Sequence, residues 1–201
     1  MGDSMTKDAR NYPVTITLGN TKVTLRYMGA GDGPGVLAFA RALPEHDLLF
    51  LRRDITEDSE VAAWVADIDS GSVKSILALT DGGVVGYGTV HRNDLRWSSH
   101  VAELRVMVSE SMRGKGLGRV LTQESFAVAL SEGIEKMIAQ MTLDQKGAIA
   151  TFEGLGFRPE ALLRDHVKDR EGKLHDLLVL SHDVAAFERT RAAFGINEAL
   201  G

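Results

Sequence analysis

An apolar/polar octet, Val101 to Val108, runs through Ser109 to Arg113 into three glycines at alternate positions, Gly114, Gly116 and Gly118, and on into an apolar stretch. Glycines this close together weaken any regular element, since each loses more backbone freedom on folding than any other residue. What they permit is a turn with positive φ angles that presents backbone N–H groups at the positive end of a helix dipole. The chain is therefore constrained to a strand, a tight turn and a buried helix in that order. Arg113, Lys115 and Arg119 add positive charge to the turn, which suits a phosphate or pyrophosphate. A plain strand-to-helix turn with solvated basic side chains uses the same residues.

Spacing separates the phosphate ligands. A Walker loop needs G-x-x-x-x-G-K-[ST]. Gly114-Lys115 supplies the G-K, but Gly116 stands at the hydroxyl position and Ser109 at the first glycine. The dinucleotide fingerprint G-x-G-x-x-G places its third glycine at Arg119, which weakens that reading. Asp144, at the end of the next strand, remains available as its ribose acid.

The rest of the chain surrounds this unit with mixed elements. "VTITLGNTKVTLRYM" alternates on both sides of Gly19-Asn20, a two-residue hairpin signal. Val36, Phe39, Ala40 and Leu43, then Val61, Trp64, Val65 and Ile68, fall at i, i+3, i+4, i+7 and predict two helices, the second capped by Asp58 and Ser59. "SILALT" and "VVGYGTVH" flank Asp81-Gly82-Gly83 as an antiparallel pair.

After the glycines a helix is expected from Leu117 to Ser131, stopped by Gly133. A strand with Met137, Ala139, Met141 and Leu143 on one face follows, then a helix from Gln145 to Leu155, two strands around "REGK" and a closing helix from Ala185 to Phe194. The order gives an α+β fold, a mixed and largely antiparallel sheet with a parallel centre, flanked by helices and preceded by a β-hairpin. One domain over residues 13–201 is expected behind a flexible, polar tail at 1–12.

Composition narrows the partners. With no cysteine, thiolate metal sites and a cysteine nucleophile are excluded, and none of the six histidines has a metal-ligand spacing, so no metal is expected. The net charge of -5 leaves no footprint for nucleic acid. No apolar run is long enough for a membrane span, and the polar start lacks a signal-peptide core. A cytoplasmic protein that uses neither membrane nor nucleic acid is expected.

Arg113-Gly114-Lys115-Gly116-Leu117-Gly118 matches the Q/R-x-x-G-x-G/A segment of the GNAT superfamily of acyl-CoA N-acyltransferases, and the chain resembles that family from roughly Leu25 to Asp183 by element order. "LRVMV" and "AIATFEGLGF" are similar to its preceding strand and its later helix and strand. The wider pattern is also similar to acetyltransferase domains of bacterial protein-lysine acetyltransferases. The resemblance implies acetyl-CoA as cosubstrate, with the backbone of Arg113, Gly114, Lys115, Gly116, Leu117 and Gly118 on its pyrophosphate and the edge of Val106, Met107 and Val108 along its pantetheine arm. It also implies direct transfer to an amine of a small molecule, a protein lysine or a protein N-terminus. The C-terminal helix, which carries Phe187 and Phe194, is expected to pack either on its own sheet or on a second subunit as a homodimer.

Acyl transfer needs a neutral amine, hence a base for a group of pKa about 10. Glu103 is the candidate. It shares one strand face with Arg105 and Met107, and a carboxylate there is costly to bury without partner or purpose. An ion pair across the sheet is the structural alternative. The resemblance puts a general-acid tyrosine where this chain has Phe152, a residue that can line the cofactor site but cannot donate a proton. His91, His166 and His175 lie on strands that would border the acceptor cleft, either as alternative bases or as polar residues at strand ends and on edge faces. With Phe152 in that position, an acyl-CoA-binding sensor or interaction domain with weak catalysis is the alternative to an enzyme.

Overall fold

The computed structural model describes residues 11–49, 51–92 and 95–184. The expected closing helix at Ala185 to Phe194, and all but the last two residues of the expected tail, lie outside them.

Eight strands form one sheet: β1 (Val14–Leu18), β2 (Thr21–Tyr27), β3 (Val73–Thr80), β4 (Gly83–Arg92), β5 (Val101–Val108), β6 (Lys136–Thr142), β7 (Arg158–Lys168) and β8 (Leu174–Asp183). Their order is β1-β2-β3-β4-β5-β6-β8-β7, and every neighbouring pair is antiparallel except β5 with β6. The expected mixed sheet with a parallel centre is what forms. The N-terminal hairpin turns through Gly19, at φ 59, and Asn20. It does not stand ahead of the sheet but is its edge, because β2 pairs with β3 from Thr24 opposite Leu79 to Tyr27 opposite Ile76.

The helices α1 (Gly33–Arg41), α2 (Glu45–Leu48), α3 (Asp58–Ser70), α4 (Leu117–Ser131) and α5 (Lys146–Glu153) divide between the two faces. Alternation along β4 and β5 creates both faces at once. On one, Leu77 and Tyr87 pack with Val36, Phe39, Val61 and Trp64 of α1 and α3. On the other, Val90, Ala102 and Leu104 pack with Leu117, Leu121 and Val128 of α4. Two helix ends differ from the sequence expectation. Asp58 sits inside the first turn of α3 behind Glu57, and α5 stops at Glu153, two residues early. The four-residue α2 has no periodicity to announce it.

Helix α4 occupies the span expected of it. Gly133, at φ 74, closes it by donating to the Leu130 carbonyl, while Ile134 reaches back to Ala129, the paired bonds of a glycine-terminated helix. Its contact with β4 depends on two missing side chains. A Cβ at Gly86 would lie 2.8 Å from the Met107 carbonyl oxygen, and one at Gly88 would lie 2.3 Å from Ser125 Oγ and 3.1 Å from the Leu121 carbonyl oxygen. Gly88→Ala should therefore push α4 off the sheet and lower the unfolding free energy by about 1–3 kcal/mol in denaturant titrations. The Ser125 hydroxyl is fully buried without a hydrogen-bond partner among the described residues, so Ser125→Ala alone should be close to neutral. Combined with Gly88→Ala it should recover part of the loss, as a double-mutant cycle would read.

Candidate active site

The sheet opens at its parallel pair. β5 is paired with β4 from Ala102 opposite Arg92 to Val108 opposite Gly86. It meets β6 only at Val101 with Lys136, Ala102 with Met137 and Glu103 with Ile138. Beyond that point β6 stays with β8 as far as Thr142 opposite Leu177. The two strands part, and from Leu104 to Val108 no strand among the described residues lies on the edge of β5 that faces β6. Unpaired strand backbone is a template for another extended chain.

The glycine turn lies at the open end of this split. The N–H groups of Met112, Arg113 and Lys115 are used inside the turn, on Ser109, Glu110 and Met112 carbonyls. Among the described residues no acceptor meets the N–H of Gly114 or those of Gly116, Leu117, Gly118 and Arg119. Gly114 and Gly116 have φ 71 and 88, and a Cβ on either would touch nothing within 4 Å. The space in front of the N–H groups is open, and their donors match the oxygens of a phosphate group. The side chain of Leu117 is fully buried, so this residue offers only its backbone. Arg113 is ion-paired with Asp47 of α2.

Phe152 lies on α5. It is 4% exposed and meets Phe157 edge-to-face at 5.0 Å between ring centres, as part of the core beneath α4 and α5.

Upstream of the split, three side chains of β4 face three of β5: Tyr87 opposite Met107, Thr89 opposite Arg105 and His91 opposite Glu103. The Glu103 side chain is 11% exposed, with Oε1 2.6 Å from Arg105 Nη2 and Oε2 3.6 Å from Arg52 Nη1. The ion-pair alternative is thus realised, though through a residue two places along the same strand and one from the loop after α2, not across the sheet. Arg53, in that loop, holds Asp67 at 2.5 Å. Sequence reasoning missed Arg52 and Arg53, because no periodicity or motif ties the loop to β5.

Three consecutive residues of α2 each join a different wall of the cleft. Glu45 pairs with Arg170 at 2.9 Å, His46 with Asp144 at 2.7 Å, and Asp47 with Arg113. A cavity of about 790 Å³ opens beside them, between Glu45, His46, Thr142, Asp144, Asp169 and His175. His175 is 2.7 Å from Asp169, and His166 is exposed on β7. His91 is the one histidine beside Glu103.

Burial, followed by the guanidinium groups of Arg105, Arg52 and Arg53 and opposed by Asp67, pushes His91 down to about 4 from 6.5. It is neutral at pH 7 and too weak a base to match an amine at that pH. The unfolded chain takes up this proton near pH 6.5 and the folded chain only near 4, so stability is full above 6.5 and falls as pH drops through that window. The loss amounts to about 3 kcal/mol. Thermal unfolding of His91→Gln should show a melting temperature that declines less between pH 7 and pH 5 than that of the unaltered protein. Equal declines would mean that His91 takes up its proton in the folded state.

The model of the acetyltransferase (GNAT) family matches residues 39–157. A curated relative in Bacillus subtilis (strain 168), named "Putative phosphinothricin acetyltransferase YwnH", is 31% identical over 84 residues, 42% of this chain and 51% of that protein. The chain thus spans about half the length of the curated relative it matches. Among solved structures, a GNAT superfamily phosphinothricin acetyltransferase from Sinorhizobium meliloti in complex with AcCoA is 23% identical, with a TM-score of 0.68, covering 80% of this chain and 88% of that one. A ribosomal-protein-alanine N-acetyltransferase from Brucella melitensis is also 23% identical, with a TM-score of 0.70, covering 79% of this chain and 98% of that one. At these identities the structural likeness speaks for the fold, and the two neighbours differ in what their names say they acetylate. The family match spans more than half of the chain and contains both the split and the glycine turn, and the protein belongs to the acetyltransferase (GNAT) family.

Proposed function

We propose that the protein is an acetyl-CoA-dependent N-acetyltransferase whose acceptor is the amine of a small molecule. The observation that carries this reading is the unpaired edge of β5 ending at a turn whose N–H groups have no acceptor. Acetyl-CoA supplies an activated thioester. The N–H groups of Gly114 and of Gly116 to Gly118, with the charges of Arg113 and Lys115, hold its pyrophosphate, and Val106 to Val108 hold its pantetheine arm by strand addition. Backbone N–H groups around Met107 and Val108 polarise the thioester carbonyl.

Glu103 is the base in this reading. The acceptor arrives as an ammonium ion of pKa about 10 and must lose a proton before it attacks. The Glu103 carboxylate, held by Arg105 and Arg52, takes that proton through a water. Phe152 leaves the departing sulfur without a tyrosine donor. A free thiol has a pKa of about 8.5, so the thiolate leaves without one. Phe152 also favours the second reading, a domain that binds acyl-CoA without efficient transfer.

Ligand binding to the folded state alone raises its stability by about 2.7 kcal/mol at 100 times Kd. In a thermal-shift series CoA and acetyl-CoA should raise the melting temperature and NAD(H) should not. Gly116→Trp, which fills the space before the turn, should lose the CoA shift while remaining folded. Glu103→Gln should keep the shift and lose about 100-fold or more in the rate of CoA release with an amine acceptor. A shift by CoA without turnover of any amine would favour the binding domain over the enzyme, and acetylation of protein lysines alone would move the acceptor from small molecules to proteins.

A further inference from the structure

The loop at residues 51–57 lies over β4 and β5 and closes a second, much smaller cavity of about 30 Å³ between Arg52, Arg53, Thr89, His91 and Arg105, with Tyr87 and Trp64 at its inner end. The Thr89 residue is 1% exposed, and its hydroxyl has no hydrogen-bond partner among the described residues. A buried hydroxyl left without a partner costs about 1–3 kcal/mol. A group that accepts or donates there is therefore favoured. The volume admits a water or the head of a small polar group.

The surroundings choose among such groups. Arg52 stands half-exposed at the mouth, and its one ionic partner among the described residues is Glu103 at 3.6 Å, which leaves most of its five donors unused. Arg53 and Arg105 add two more guanidinium groups to the same wall. Their field registers on His91, whose imidazole is held neutral partly by all three arginines. A hydroxyl donor and a guanidinium fork at one opening match a carboxylate, which takes bidentate, charge-assisted bonds from arginine.

The position of the cavity relates it to the chemistry. Thr89 is opposite Arg105, two residues along β5 from Glu103, a separation of about 7 Å along a strand. We propose that Arg52 and the Thr89 hydroxyl bind a carboxylate of the acceptor, making the preferred substrate a short amino acid whose amine reaches Glu103 while its carboxylate enters this cavity. The inference rests on the acetyltransferase reading and adds the class of acceptor to it. Arg52 and Thr89 are specificity residues in this scheme, outside the cradle for acetyl-CoA.

Matched acceptors test it. Alanine, leucine, β-alanine and γ-aminobutyrate are each compared with their amides, by CoA release at saturating acetyl-CoA. At least one acid should exceed its amide tenfold or more in kcat/KM, mostly through KM. The amide is the weaker base and is more often neutral, so a preference for the acid does not come from ionisation of the amine. Arg52→Gln should abolish the preference and Thr89→Val should reduce it severalfold, with the thermal shift by CoA unchanged in both. If turnover is slow for every acceptor, calorimetry with N-acetyl-leucine and N-acetyl-leucinamide on the CoA-saturated protein reads the same preference. Amides as good as acids, an unchanged preference in Arg52→Gln, or equal or absent binding of the two N-acetyl compounds would overturn the carboxylate site. The acetyltransferase reading fails separately, through loss of the CoA shift or of turnover with every amine.

Discussion

Among the described residues β5 and β6 pair at three positions only, next to the bonds from Glu135 and Lys136 to the His100 carbonyl, and there the two halves of the sheet join. Each strand keeps its other partner to the end, β5 with β4 and β6 with β8, so the split is made by loss of one ladder between strands that are otherwise fully bonded. Backbone groups in a folded protein are nearly always paired. An edge left bare in the middle of a sheet, with packed layers above and below, is a place where the fold is completed from outside. The position of α4, the turn before it and the reach of the loop over β4 and β5 all follow from where that ladder stops.

The residues around the split fall into two groups that meet at β5. Its backbone edge and the glycine turn offer N–H groups without side-chain identity, which suits a cosubstrate gripped by its shape and phosphates. One face of β5 offers Glu103 and Arg105, with Thr89 and His91 opposite them on β4, and these contribute side-chain chemistry.

How much of this was legible in the sequence follows the range of the forces. The hairpin at Gly19-Asn20, the span of α4 and the alternation along β5 are written in neighbouring residues, since strand period, helix period and glycine conformation act locally. The glycine turn between β5 and α4 was legible for the same reason. The company of Glu103 was not, because Arg52 lies 51 positions upstream in a loop without periodicity, and an ion pair leaves no pattern at either end. The four-residue α2 escaped notice for want of two turns in which a period could repeat. Phe152, expected to line the cofactor site, also packs edge-to-face on Phe157, a core contact that no local pattern announces.

Helix α2 is too short to be stable by its own hydrogen bonds, and it buries none of its four residues. Its place is set by Leu48, which packs against the core of α1 and α3, and by ion pairs to Arg170, Asp144 and Arg113, each from a different part of the chain. Helices α1 and α3 are fixed by apolar contact, which salt hardly weakens. Pairs at the surface contribute about 0–1 kcal/mol each and are screened over about 8–10 Å at physiological salt. The molecule therefore has a core whose geometry is indifferent to ionic strength and a cleft mouth whose geometry is not, so the salt content of the medium acts on the entrance of the site before it acts on the fold.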